Sequence, residues 1–186
     1  MKKLLLVLLA LPLLFSCGGS LDKERSSEMS DEIPVDGGNQ TAEDYFYKAN
    51  NYMYNGQYQL AIDNYTKCLK LETDDDAAAY YNRGIAYGNL ENYTAAIADF
   101  TSAIRIEPDA ADAYYNRGLA YAKLENYTAA IADYTSAITI NPDYVNAYWA
   151  RGIAKENAGQ SYCSDFKRAC DLGVEVCCEW YYKECK

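Results

Sequence analysis

The sequence contains no histidine. That removes the imidazole base of Ser-His-Asp and Cys-His nucleophiles and every His-containing zinc site, and with them most routes to hydrolysis at neutral pH. Basic charge is scarce as well: 17 Lys and Arg stand against 27 Asp and Glu, a formal net charge of −10. A surface of that sign repels phosphate backbones and disfavours nucleic-acid binding through counterion release. There are seven cysteines, but no two of them have the Cys-x-x-Cys spacing of common zinc and dithiol redox motifs. The apolar run from Leu4 to Phe15 holds only twelve residues, Pro12 among them, too few for a permanent membrane-spanning helix.

What is present begins with that run. Lys2 and Lys3 precede it and Ser16-Cys17 follow it, so residues 1–16 read as a cleaved export signal. Leu14-Phe15-Ser16-Cys17 resembles the bacterial lipobox. The resemblance implies cleavage before Cys17, acylation of that cysteine and a stable lipid anchor, since several chains hold where one is marginal. The expected location is the bacterial cell envelope, on the periplasmic face or the cell surface. Residues 17–41 carry few large apolar side chains and no period, and read as a solvated tether. As a random coil, such a tether reaches roughly 25 to 30 Å.

The dominant feature is an internal repeat. Tyr80 to Asp109 and Tyr114 to Asp143 match at 24 of 30 aligned positions, at a period of 34 residues. A period of that length marks a solenoid in which each unit buries its apolar face against a neighbour. Four units are read, at residues 42–76, 77–110, 111–144 and 145–172, followed by a Cys-rich capping segment at 173–186. Each unit has two amphipathic stretches of about 13 residues. The first stretches run from Glu43 to Asn55, Ala78 to Leu90, Asp112 to Leu124 and Asn146 to Ala158. The second run from Gln59 to Leu71, Thr94 to Glu107, Thr128 to Asn141 and Ser161 to Leu172. Asn92 and Asn126 stand as N-caps, and Pro108 and Pro142 stop two second helices.

Small residues recur where helices must approach: Gly84, Gly118 and Gly152, then Ala61, Ala96 and Ala130. Aromatic residues recur beside them: Tyr45, Tyr80, Tyr114 and Tyr148; Tyr52, Tyr87 and Tyr121; Tyr65, Phe100 and Tyr134. This pattern resembles the tetratricopeptide repeat family from Ala42 to Asp143, and the helical part of the fourth unit continues it. The resemblance implies an all-α fold, a right-handed helix-turn-helix solenoid of about four units with a C-terminal capping helix. Arg83, Arg117 and Arg151 recur toward the helix-pair interface and read as ion-pair or stacking residues.

The fourth unit departs from the pattern. Lys155 replaces the repeated tyrosine, its turn is two residues shorter, and Cys163 and Cys170 take core isoleucine positions. Gly173 closes the unit, and Glu175 to Lys186 reads as a last helix. Cys68 reads as a core cysteine. If the last two helices pack antiparallel about Gly173, Cys163 meets Cys185 while Cys170 meets Cys177 or Cys178. Export permits disulfides. Two bridges are therefore expected, with one of Cys177 and Cys178 left as a thiol.

In the family the first helices line the partner-binding surface. Carried over, that surface shows Phe46, Tyr81, Tyr115 and Trp149 as an aromatic stripe, with Asn50, Asn82, Ile85, Asn116 and Leu119 beside it. Rings beside amides suit an extended peptide. The bland alternative is rings that only pack between successive first helices. One member type clamps a peptide carboxylate; Asn50 and Asn82 match two of its positions, but Phe46, Asp112 and Asn116 stand where its basic residues should be. The expectation is a lipid-anchored, non-enzymatic adaptor that holds another protein or peptide and needs no cofactor or metal. The alternatives are a glycan-binding subunit, or a thiol-redox or metal protein using the C-terminal cysteines.

Overall fold

The computed structural model describes residues 40–71 and 76–185. The leader, Cys17, almost all of the tether and most of the acidic turn after the first unit lie outside them. The described residues form nine α-helices and no strand: α1 (Ala42–Tyr54), α2 (Tyr58–Leu71), α3 (Ala77–Asn89), α4 (Tyr93–Ile106), α5 (Ala111–Lys123), α6 (Tyr127–Ile140), α7 (Val145–Asn157), α8 (Cys163–Asp171) and α9 (Glu175–Glu184). Each helix packs on the next in the chain, and α1, α3, α5 and α7 also touch in succession along one face. The fold is a helix-pair solenoid.

Local chemistry sets the helix ends. At Thr41 a capping box forms: its Oγ1 accepts the Asp44 N–H at 3.2 Å, and the Asp44 carboxylate accepts the Thr41 N–H at 2.9 Å. Asp76, Asn92 and Asn126 accept the N–H groups of Ala79, Ala95 and Ala129 in the same way. The turn inside each unit needs one left-handed residue, supplied by Gly56, Glu91, Glu125 and Gly159 at φ of 58° to 69°. The last second helix corrects the sequence reading: α8 begins at Cys163, not Ser161, and ends at Asp171. The two-residue deletion removes its first turn, and no side chain caps it.

Within three of the units the two helices meet at a glycine, where the first unit has the buried Ala49. In the second, third and fourth units a buried ring from the second helix packs against Gly84, Gly118 or Gly152 of the first. A Cβ on Gly84 would stand 2.8 Å from Phe100 Cε1, and one on Gly118 would stand 2.7 Å from Tyr134 Cε1. Gly152 faces Phe166 even more closely.

Between units, the recurring arginines form the tie. Arg83 donates twice to Asp99 of its own unit, both at 2.8 Å, and once to Thr66 of the unit before, at 3.0 Å. Arg117 repeats this with Asp133 and Thr101, and Arg151 with Asp165 and Thr135. Each guanidinium also lies over a tyrosine, Tyr80, Tyr114 or Tyr148. In the fourth unit Lys155, the departure from the repeat, joins Asp165 at 2.8 Å.

Both ends of this ladder are written into the sequence. The first unit carries Lys48 and Asn64 at the Arg and Asp positions. Its exposed Asp44 and Asn51 stand where later units bury Ala79 and Ala86, Ala113 and Ala120, or Ala147 and Ala154. At the far end Lys167 takes the threonine position and pairs instead with Asp171. Helix α9 covers α8 there, with Trp180 on the Phe166 ring and Cys177 buried. Cys163 is bonded to Cys185 and Cys170 to Cys178, with Cα–Cα distances of 5.7 and 4.7 Å. Cys68 and Cys177 are buried thiols, and Cys68 Sγ lies 3.9 Å from Asp76 Oδ2.

Two measurements test this construction. Gly118→Val should lose about 1–3 kcal/mol by overpacking the Tyr134 ring, more than the roughly 0.5 kcal/mol that valine gains over glycine in helix propensity; a urea midpoint equal to the parent's would contradict the contact. Thiol titration of the denatured, unreduced chain should find Cys68, Cys177 and any unacylated Cys17, and a reductant should add four more while lowering the melting temperature.

Candidate partner-binding face

The first helices place the stripe residues one beneath another, and each ring rests on a ring from its own second helix. Phe46 meets Tyr65 at a centroid distance of 5.8 Å, Tyr81 meets Phe100 at 5.8 Å, Tyr115 meets Tyr134 at 5.8 Å, and Trp149 meets Phe166 at 5.0 Å. All four stripe residues are half-buried, so each ring is braced from below while part of it stays open. Ile85 and Leu119 are half-buried too, packed beside the Phe100 and Tyr134 clusters. Tyr47, on the same helix as Phe46, is 64% exposed.

The amides are more committed than the sequence suggested. Asn50 Oδ1 accepts from the Tyr65 hydroxyl at 2.5 Å, and Asn82 also hydrogen-bonds that hydroxyl. Asn116 is buried; its Nδ2 donates to the Tyr81 hydroxyl at 2.8 Å and to the Asp112 carbonyl at 3.0 Å. Its Oδ1 is buried and has no donor among the described residues. Asn50 holds a tyrosine hydroxyl within its own unit, and Asn82 and Asn116 hold one across a unit boundary, a role invisible along one chain segment.

Two features of this face escaped the sequence reading. Tyr144, just before α7, lays its ring on Tyr115 at 5.1 Å and donates its hydroxyl to the Asp112 carboxylate. Beside it a cleft of about 220 Å³ opens between α3, α4 and α5. Its walls are Ala77, Ala78, Ala103, Ala110 and Ala113, with Tyr81, Glu107 and Asp112 completing the lining. The signal was the run of alanines around Asp109 and Asp112, but the cleft exists only once two units stack.

The environment keeps the phenols neutral. Burial, and then the charge of Asp112, push the Tyr115 hydroxyl up to about 12. Burial lifts Tyr65, Tyr134 and Tyr144 further still. Burial likewise pushes the Cys177 thiol up to about 11, away from the thiolate that redox chemistry needs. Among the described residues no group of three or more Cys, Asp or Glu could hold a metal, and no helix is long and apolar enough to cross a membrane.

Helix-pair solenoids of this kind generally mediate protein-protein interaction. A tetratricopeptide repeat family model matches residues 48–105 and 81–145, which together span just over half of the chain. The chain belongs to the tetratricopeptide repeat family. It is 40% identical over 67 residues, 36% of its length, to small glutamine-rich tetratricopeptide repeat-containing protein 2 of Saccharomyces cerevisiae. It is 36% identical over 77 residues, 41% of its length, to serine/threonine-protein phosphatase 5 of Homo sapiens. The matched stretches span only 19% and 15% of those relatives. Among solved structures, MamA is similar at a TM-score of 0.69 and 32% identity, over 70% of this chain and 77% of MamA. The first TPR of Spaghetti (RPAP3), bound to an HSP90 peptide, is similar at a TM-score of 0.62 and 27% identity, over 69% of this chain and 100% of that one.

The phenols give a pH test. A hydroxyl whose pKa is higher in the folded than in the unfolded chain contributes stability that is intact below the ordinary phenol value of about 10 and is lost as pH rises. The urea midpoint should therefore fall from about pH 10 toward pH 12, with tyrosinate absorbance rising as helical circular dichroism falls. Full titration of all tyrosines before any helix is lost would contradict the burial.

Proposed function

We propose that this chain is a non-enzymatic adaptor that holds another protein or peptide along the face of α1, α3, α5 and α7, while acylated Cys17 tethers it to the membrane of a bacterial envelope. The single observation that carries the reading is the row of Phe46, Tyr81, Tyr115 and Trp149, each braced by a ring beneath it. A braced aromatic ring covers a partner's apolar groups at little cost in side-chain entropy. Similar solved repeats bound to HSP90 and HSP70 peptides support a protein or peptide as the occupant. The end cap serves the same purpose: two bridges hold the last units rigid in an oxidising compartment, and a rigid face loses less entropy on binding.

Crosslinking the full chain in its native envelope, followed by mass spectrometry of what is recovered, tests the reading. One partner protein should be captured by the parent and by the exposed control Leu71→Ala, and lost from Tyr81→Ala/Trp149→Ala, with melting curves confirming that the variant is folded. Equal capture by all three would overturn the adaptor reading. Recovery of polysaccharide alone would favour the glycan-binding alternative. Cys17→Ser should move the chain from the membrane pellet to the soluble fraction.

A further inference from the structure

Resting on that adaptor reading, we propose that the cleft between α3, α4 and α5 receives a cationic side chain, an arginine or lysine, of the segment held on the first-helix face. At about 220 Å³ the cleft is smaller than the roughly 300 Å³ at which small-molecule sites begin, and suits a single long side chain. Five alanines give it apolar walls matched to an aliphatic stem, and among the described residues Glu107 and Asp112 are its ionisable groups besides the Tyr81 phenol. Asn116 bridges two of the lining residues, Tyr81 and Asp112, and its buried Oδ1 is an acceptor with no donor among the described residues. Asn116 lies behind the lining, and its two donor bonds fix Tyr81 and the Asp112 backbone at the cleft.

The charge of the occupant follows from what binding does to the carboxylates. A partner laid over the face takes Glu107 and Asp112 out of water. A neutral side chain would leave both charges desolvated without a counter-charge, Asp112 holding only the Tyr144 hydroxyl, and an acidic one would add repulsion. Only a cation satisfies them, and the net charge of −10 draws a basic segment toward the chain as a whole.

The alanines themselves report occupancy. The full chain, labelled with ¹³C at alanine methyls, is titrated with the pentapeptide acetyl-Ala-Val-Arg-Val-Ala-amide and with the same peptide carrying citrulline, which keeps the shape of arginine and lacks its charge. The arginine peptide should shift the methyls of Ala77, Ala78, Ala103, Ala110 and Ala113 in a saturable way. The citrulline peptide should bind about tenfold more weakly. Glu107→Gln/Asp112→Asn, which keeps the acceptor for Tyr144, should abolish the difference. Equal binding of both peptides, shifts confined to other alanines, or a preference that survives the double variant would each overturn the proposal. If the cleft fails in this way while partner capture still depends on Tyr81 and Trp149, the cation site falls and the adaptor reading stands. If the arginine preference holds while capture ignores Tyr81 and Trp149, the cation site stands and the adaptor reading falls.

Discussion

Three of the four helix pairs depend on one contact, an aromatic ring packed against a glycine, and the first pair buries Ala49 at that position. In those three pairs a Cβ would collide with the ring, so glycine lets the ring fill the gap at crystal-like density. Phe100 on Gly84, Tyr134 on Gly118 and Phe166 on Gly152 set the spacing of their pairs. The same three rings also meet Tyr81, Tyr115 and Trp149, three residues before those glycines on the same first helices. Core packing and the stripe thus share the same buried rings. Each stripe residue packs on a core ring while part of its own ring stays open.

Stacking the pairs into an array falls to the arginines. Each guanidinium spans a unit boundary, and its bidentate carboxylate is buried, so removing either partner would strand the other charge. Such ties favour one register between neighbours. They also explain the irregular ends. Asp44 and Asn51 keep one open edge polar, and Lys167 offers no site for a next arginine. The bridged helix α9 then covers what remains apolar at the other edge, doing with covalent bonds what a further repeat would do with area.

The near-identical units also part company where the repeat is imperfect. Position for position, Asn82 and Asn116 are the same residue in near-identical units, yet they do different things: Asn82 serves the Tyr65 hydroxyl, while Asn116 serves Tyr81 and keeps an unused acceptor. The difference comes from what the preceding unit presents, a tyrosine on α2 in one case and Tyr81 on α3 in the other. Tyr144 adds a second asymmetry by fixing Asp112 on one side of the cleft.

Much of this was legible in the chain itself. The 34-residue period, the recurring glycines and aromatics, the prolines and the asparagine caps are local or periodic signals, and they determine helix pairs, their order and their inward faces. The Cys163 and Cys185 juxtaposition also followed from helical spacing about Gly173. What the tertiary structure alone decided is which of Cys177 and Cys178 is bridged, that α8 loses its first turn, that the stripe amides are bonded to tyrosine hydroxyls, and that a small acidic cleft opens between α3, α4 and α5. The physical reason is common to all four. Periodicity states which side of a helix faces inward, but a hydrogen bond or a cavity depends on the rotation and offset of one helix against another. Those are set by the ring on the glycine and the arginine across the boundary, contacts between residues that lie 14 to 17 positions apart in the chain.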